Sequence, residues 1–354
     1  MNTHEWAPIK WDQGSLFVLD QRKLPHQEIY FEIKTIEDCY FSINSMLVRG
    51  APLIGFTAIF GIAVWLKNND SKTIKDLITA CDYLKTARPT AVNLEFEINN
   101  CLTLSEKYYS DTGSLKELSP VIINRGEDLI LSLDNDNKKM GEYASLELEE
   151  IYGDKRYKLM TICNTGRLAC GTMGTALGVI THLNLQKKIH QVFASETRPY
   201  MQGSRLTALE LSKSEIDYRV VVEGASSFIL ANKNIDAIFV GADRVANNGD
   251  TANKIGTSSL AIIANYYKIP FYVVAPISSF DLSIDTGSDI AVEIRNELEV
   301  IKYNDKFISP SDARAFNPSF DITPSKLITG IVCEKGIIKP SLNKNITDYL
   351  NEKS

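Results

Sequence analysis

From Lys158 onward the chain alternates short apolar runs with helix-like segments, and few folds accommodate that order. Lys158-Leu159-Met160-Thr161-Ile162-Cys163, Gln191-Val192-Phe193-Ala194-Ser195, Tyr218-Arg219-Val220-Val221-Val222-Glu223, Ile235-Asp236-Ala237-Ile238-Phe239-Val240 and Pro270-Phe271-Tyr272-Val273-Val274-Ala275 read as strands. Between them, Gly171 to Ile180, Arg205 to Ser212 and Ser258 to Tyr267 read as helices, and a short helix follows the third strand. Strands alternating with helices imply a parallel sheet with right-handed crossovers, so residues 151–354 are expected to form a Rossmann-like domain. Residues 1–150 carry a different pattern. Short apolar pieces, Pro8 to Trp11, Ser15 to Asp20 and Glu28 to Ile33, suit a small antiparallel sheet, and from Thr35 to about Leu133 the pattern is mostly helical. Ile54 to Trp65 is apolar enough for a buried helix, and Leu133-Asp134-Asn135-Asp136-Asn137-Lys138-Lys139 predicts a surface turn between helices. The fold class is therefore α/β, with a smaller, mainly helical N-terminal domain.

A chain of 354 residues has room for two domains and a sizeable core. Its net charge of −6 and the lack of a basic stripe argue against a nucleic-acid partner. The six cysteines, Cys39, Cys81, Cys101, Cys163, Cys170 and Cys333, are scattered, without a CxxC or a zinc-type pairing with the four histidines. Reduced thiols in a cytoplasmic protein, with no metal site, are the expectation. Met1 to Trp6 has no basic region leading into an apolar core, and no apolar run approaches the ~20 residues needed to span a bilayer. The chain is expected to be neither secreted nor inserted in a membrane.

In a parallel sheet the loops that follow the strands emerge on one edge, where open α/β sheets bind ligands. Cys163-Asn164-Thr165-Gly166, Glu196-Thr197-Arg198-Pro199-Tyr200-Met201-Gln202-Gly203 and Gly241-Ala242-Asp243-Arg244 are thus expected to meet. The stretch from Gly241 to Thr257 is read as a loop; it holds two acids, two cations, three Asn and three Gly, a density of polar groups that a solvated connection does not need. Cys163 can serve as proton donor, nucleophile or metal ligand, or be a buried small hydrophobe. Asp243 can be a general acid/base, a partner of Arg244 or a helix cap. Arg49-Gly50-Ala51-Pro52 puts a guanidinium and backbone amides at a helix start, a combination that favours anions, and Arg88-Pro89-Thr90-Ala91-Val92-Asn93-Leu94 offers a second arginine in the same setting. Gly171, Gly174 and Gly178 do not form GxGxxG and no Walker loop is present, so no nucleotide cofactor is indicated.

Taken together, Arg49 to Pro52, Arg88 to Leu94, Cys163 to Gly166, Glu196 to Pro199, Gln202-Gly203-Ser204-Arg205-Leu206-Thr207, the 241–257 stretch and Asn317-Pro318-Ser319-Phe320-Asp321-Ile322-Thr323-Pro324 resemble the family of methylthioribose-1-phosphate isomerases. That family is related to the regulatory subunits of a eukaryotic translation-initiation exchange factor. The resemblance implies a cofactor-free aldose–ketose isomerase of methionine salvage, typically a homodimer, acting on a ribose 1-phosphate with methylthio at the 5-position. By carry-over, Cys163 and Asp243 are the catalytic pair, and Arg49, Gly50, Ala51, Arg88, Gln202, Asn253 and Lys254 hold the substrate. Three features depart from the family pattern: Val222-Glu223-Gly224-Ala225-Ser226 where an aspartate-containing segment is expected, Met173 where an aromatic is common, and Cys170. They keep 5-deoxyribose 1-phosphate and ribose 1,5-bisphosphate as alternative substrates; a non-catalytic regulatory subunit is the alternative of a different class.

Overall fold

A computed structural model describes residues 6–12, 14–68, 73–88, 92–303, 306–340 and 345–352. The chain forms two compact units, Met1–Asn135 with Gly166–Gly174, and Asp136–Thr165 with Thr175–Ser354.

The first unit begins with the expected antiparallel sheet, β1 (Ile9–Asp12), β2 (Ser15–Leu19) and β3 (Tyr30–Ile33), in that order. Helices α1 (Ile36–Asn44), α2 (Ala51–Lys67), α3 (Ile74–Lys85) and α4 (Val92–Thr112) follow. Thr35 and Thr73 each accept a hydrogen bond from the amide three residues on, and Asp38 and Asp76 reach back, so α1 and α3 start at complete capping boxes. Every side chain from Leu53 to Leu66 in α2 is buried. A helix apolar on all sides has to be a core helix, and α1, α4 and the short α6 (Arg167–Cys170) pack around it.

Helix α5 (Leu118–Tyr152) passes through residue 135, where the compact units change over, and residue 150, where the sequence pattern sets the domain boundary. The turn expected at Leu133 to Lys139 is instead helix interior. Asp and Asn favour turns locally, but Leu133, Asn137, Met140, Ala144 and Leu148 fall at helical spacing and are all buried. Burial of that stripe outweighs local propensity.

The second unit is built on a seven-stranded sheet comprising β4 (Tyr157–Thr161), β5 (Ile189–Ser195), β6 (Tyr218–Val221), β7 (Ala237–Val240), β10 (Phe271–Val274), β15 (Gly330–Cys333) and β16 (Gly336–Ile338), in the order β16-β15-β10-β7-β4-β5-β6. All neighbours pair in parallel except β15 and β16. Successive residues point to opposite faces. Leu159, Phe239, Tyr272 and Val332 enter one apolar layer with the second half of α5 and with α7 (Ala176–Leu185) and α8 (Ala208–Lys213). Met160, Ile238, Phe271 and Ile331 enter the other, with α9 (Ser226–Asn232), α10 (Thr257–Tyr266) and α12 (Ile346–Glu352). Helices thus cover both faces. No helix among the described residues is long and apolar enough to cross a membrane.

The 241–257 stretch is more ordered than the loop expected. It contains β8 (Arg244–Ala246) and β9 (Thr251–Lys254), an antiparallel pair in a four-stranded sheet with β11 (Phe280–Asp281) and β14 (Phe320–Thr323); between the last two come α11 (Leu298–Ile301) and the antiparallel pair β12 (Lys302–Tyr303) and β13 (Lys306–Phe307). Its turn is tied down by the acid and amides that made it look reactive. The Asp250 carboxylate accepts from Asn248 Nδ2 at 2.9 Å, Gly287 N–H at 3.1 Å and Ser325 N–H at 2.8 Å. Asn247 Oδ1 accepts from the Thr347 backbone and hydroxyl at the start of α12.

Partial burial alone would raise the Asp250 pKa, but these hydrogen bonds prevail and hold it below the ordinary 3.8. A carboxylate depressed in the folded state stabilises the fold fully above the unfolded value and loses that contribution as pH falls through the folded one. Asp250→Asn is therefore expected to melt several degrees below the wild type at neutral pH. The gap should close on titration below pH 3.8 in thermal melts followed by circular dichroism. A gap constant with pH would show that the charge of Asp250 contributes nothing.

Candidate active site at the carboxyl edge of the parallel sheet

β4 lies between β7 and β5, so the loops after these three strands leave the sheet side by side. Cys163 stands two residues beyond β4 and is buried, at φ 65°, a left-handed conformation that few non-glycine residues adopt. Its N–H donates to Thr197 Oγ1 at 2.9 Å and its carbonyl accepts from Thr207 Oγ1 at 2.5 Å, both from the segment after β5. On the other side, a Cβ on Gly241 would come within 2.5 Å of the Thr165 methyl, so the loop after β7 touches the loop after β4. The predicted convergence of the three loops is what the structure has.

Gln202 precedes a π-helical turn, Gly203–Thr207, that leads into α8. Gly203 presses against the end of β5 so closely that a Cβ would collide with the Ser195 carbonyl oxygen; no other residue type fits there. Gln202 is 6% exposed, and its Oε1 has no hydrogen-bond partner among the described residues. A buried amide oxygen left unpaired is costly within the protein and available to a polar ligand.

Asp243 is solvent-exposed, and its N–H donates to Ala252 O at 2.9 Å, which sets it beside β9. Arg244 reaches Asp281 at 3.5 Å. Asn253, 3% exposed, donates from Nδ2 to Thr257 Oγ1 at 3.0 Å. Lys254 lies over the Phe320 ring at 4.5 Å and donates to Ser319 O at 3.0 Å. Asp321, paired opposite Asn253, accepts the N–H groups of Gly256 and Ser258 and so fixes the entry to α10. Burial pushes its carboxyl up against the pull of those two amides.

Beyond Lys254 opens a cleft of about 260 Å³ lined by Arg198, Glu223, Gly256, Phe316 and Asn317, among others. Glu223 accepts the Arg198 N–H at 2.8 Å. Burial, with the charge of Glu196 adding to it, raises the Glu223 pKa against the opposing contribution of Arg198. This carboxyl belongs to Val222–Ser226, the segment where the resemblance led an aspartate to be expected.

Cys163, Gln202, Asp243, Asn253 and Lys254 all lie in the second unit; Arg49, Gly50, Ala51 and Arg88 lie in the first. Arg49 is buried, Gly50 caps α2 at φ 94°, and Ala51 is its first residue. A Cβ on Gly50 would collide with the Ala169 backbone, so α6 requires glycine there too. Arg88 is half-buried; Pro89, Thr90 and Ala91, the rest of the expected helix start, lie outside the described residues.

Sequence reasoning missed Glu210. This 7% exposed acid of α8 accepts from Asn164 Nδ2 at 2.7 Å, and the same amide donates to Thr207 Oγ1 at 3.2 Å. The signal was a lone acid in the apolar run Ala208-Leu209-Glu210-Leu211, since acids are seldom buried without a partner.

Several known proteins are similar to this chain over nearly its whole length. The methylthioribose-1-phosphate isomerase of Natranaerobius thermophilus is 40% identical over 344 residues, 96% of this chain and 98% of its own. That of Carboxydothermus hydrogenoformans is 41% identical over 339 residues, 95% and 96% of the two chains. Among solved structures, the 5-methylthioribose 1-phosphate isomerase of Pyrococcus horikoshii superposes with a TM-score of 0.86 at 34% identity, covering 96% of this chain and 94% of that one. A structure of the translation initiation factor eIF-2B, subunit delta, from A. fulgidus gives 0.85 at 34% identity over 98% and 100%. The pattern of the initiation factor 2 subunit family, IF-2B, matches residues 47–340, and to that family this chain belongs.

Proposed function

We infer that the chain is an aldose–ketose isomerase that converts 5-methylthioribose 1-phosphate to 5-methylthioribulose 1-phosphate, a step of methionine salvage. The observation that carries the reading is the nearly full-length identity of about 40% with proteins named for that activity, in a chain that retains both Cys163 and Asp243. The strand order, numbered along the sheet as 3-2-1-4-5-6 with an antiparallel seventh, supports the Rossmann-like description of residues 151–354.

Phosphate on the anomeric oxygen prevents spontaneous ring opening, so the protein has to help break the bond between C1 and the ring oxygen before hydrogen moves from C2 to C1. A protonic transfer needs a donor to the ring oxygen and a base near C2. A hydride shift needs a dry pocket and one acid/base group. Cys163 and Asp243 are the groups we assign to this chemistry. The contact between the loops after β4 and β7 supports the pairing, and the burial of Cys163 suits a water-poor side of the site. Arg49, Arg88 and Lys254 suit the phosphate dianion; Gly50, Ala51, Gln202 and Asn253 complete the proposed substrate ligands. No cofactor or metal enters this reading. We further propose that the enzyme works as a homodimer in the cytoplasm without a nucleic-acid or membrane partner; the net charge of −6 supports the former exclusion.

The eIF-2B delta structure, at a TM-score of 0.85, favours a regulatory subunit as the competing class. The two readings separate on turnover. Purified protein is expected to form ketose from 5-methylthioribose 1-phosphate, and Cys163→Ala or Asp243→Ala to lower kcat/KM by ~10²- to 10⁴-fold. Absence of ketose with folded wild-type protein, on this sugar and on 5-deoxyribose 1-phosphate and ribose 1,5-bisphosphate, would transfer the assignment to the regulatory class; a higher kcat/KM on either alternative would rename the substrate.

The phosphate ligand is tested separately. Lys254→Gln should raise KM by ~10-fold or more, the effect of removing one partner of a close charge pair, while leaving kcat much closer to wild type. A selective loss of kcat at unchanged KM would remove Lys254 from the substrate ligands.

A further inference from the structure

We propose that Thr197 and Thr207 are positioning residues that clamp the backbone of Cys163, and that Glu210 sets Thr207 through Asn164. The inference rests on the reading of Cys163 as a catalytic group. Cys163 lies past the last residue of β4, so no sheet neighbour supplies hydrogen bonds for its peptide groups, and its burial withholds water from them. Two threonine hydroxyls from the segment after β5 take both places, Thr197 on the N–H and Thr207 on the carbonyl. Between them they hold a non-glycine residue at φ 65°, a conformation that persists only where the surroundings over-determine it.

Each hydroxyl is itself directed. Thr197 Oγ1 accepts from Cys163 and donates to Ser195 O at 3.0 Å, and Thr197 stands in the left-handed region too, at φ 63°. Thr207 Oγ1 accepts from Asn164 Nδ2 and donates to the Cys163 carbonyl. A hydroxyl that accepts one hydrogen bond is polarised to donate the next more strongly. The Asn164 amide is anchored in turn on the buried Glu210 carboxyl, so the chain of bonds runs from Glu210 and Asn164 through Thr207 to Cys163. Thr207 closes the π-turn, and such wide turns occur frequently at functional sites. A mere connection between β5 and α8 has no need of two hydroxyls and a buried acid converging on one cysteine. The arrangement fixes the backbone from which the Cys163 thiol projects, and a misplacement of about 1 Å in a reacting group costs ~10²-fold in rate.

The test compares Thr207→Val, which keeps the shape and deletes the hydroxyl, with Thr207→Ser, which keeps the hydroxyl, and repeats the pair at position 197. Glu210→Ala and Glu210→Gln probe the anchor, since glutamine still offers Asn164 an acceptor. Three quantities are read: kcat and KM on 5-methylthioribose 1-phosphate, the rate at which iodoacetamide labels Cys163 by peptide mass spectrometry, and the melting temperature. In the valine variants kcat is expected to fall ~10- to 100-fold with KM little changed, and labelling of Cys163 to accelerate as the loop is released. The serine variants should recover both, and Glu210→Gln should recover what Glu210→Ala loses. A folded valine variant with wild-type kcat and labelling overturns the proposal; so does a serine variant as impaired as its valine counterpart, which would assign the effect to packing. Should one valine variant not fold, the other position decides. A Cys163→Ala protein that turns over normally would sink the catalytic reading instead, and the labelling rates would still settle whether the clamp exists.

Discussion

A parallel strand cannot hand its chain directly to its neighbour; the chain has to return along a face, and every strand then delivers its following loop to the same edge. β4 is bonded on both sides by such parallel ladders, to β5 and to β7. Its loop, with Cys163, is flanked by the loop holding Gln202 and by the one holding Asp243, although about forty residues separate Cys163 from each neighbour in the former case and about eighty in the latter. The rest of the second unit serves this edge. Apolar layers cover both faces of the sheet, β9, held by its pairing with β14, presents Asn253 and Lys254, and Asp321 fixes where α10 begins.

The alternating pattern made five of the seven strands legible, because β4, β5, β7 and β10 are short apolar runs buried largely on both faces and the edge strand β6 continues their spacing, whereas β15 and β16 fall outside the strand–helix alternation that was read. The convergence of loops was legible for the same reason: it follows from parallel pairing and needs no detail of side chains. What escaped was decided by contacts between distant residues. Leu133 to Lys139 has the composition of a turn, yet its flanking apolar positions are needed in the core, and Asn137 is carried inside with them. The 241–257 stretch has the composition of a binding loop, yet Asn247, Asn248 and Asp250 are occupied in holding residues 287, 325 and 347, far along the chain. Composition reports that polar groups are concentrated; only the fold says which of them are already spoken for. Glu210 illustrates the converse, a single acid whose importance depends on an asparagine 46 positions earlier.

The family relationships follow the same division. Structures named as an isomerase and as an initiation-factor subunit superpose on this chain almost equally well, with TM-scores of 0.86 and 0.85. Backbone architecture therefore does not discriminate between them, and function has to be argued from the groups placed on the sheet edge. In this chain the edge carries a thiol in a strained backbone setting, an exposed carboxylate beside β9, and at Gln202 a buried amide oxygen unpaired among the described residues.

The π-turn from Gly203 to Thr207 has a consequence for how such an edge can be gained or lost. It closes through a bond from the Ala208 N–H to the Gly203 carbonyl, one residue wider than an α-turn. Each residue rotates a helix by ~100°, so deleting a single codon here would restore regular helix geometry and swing the hydroxyl at 207 away from Cys163. The sheet order, β5 and α8 would be left as they are. On the proposed role of Thr207, the sheet and the support of Cys163 thus depend on different parts of the chain.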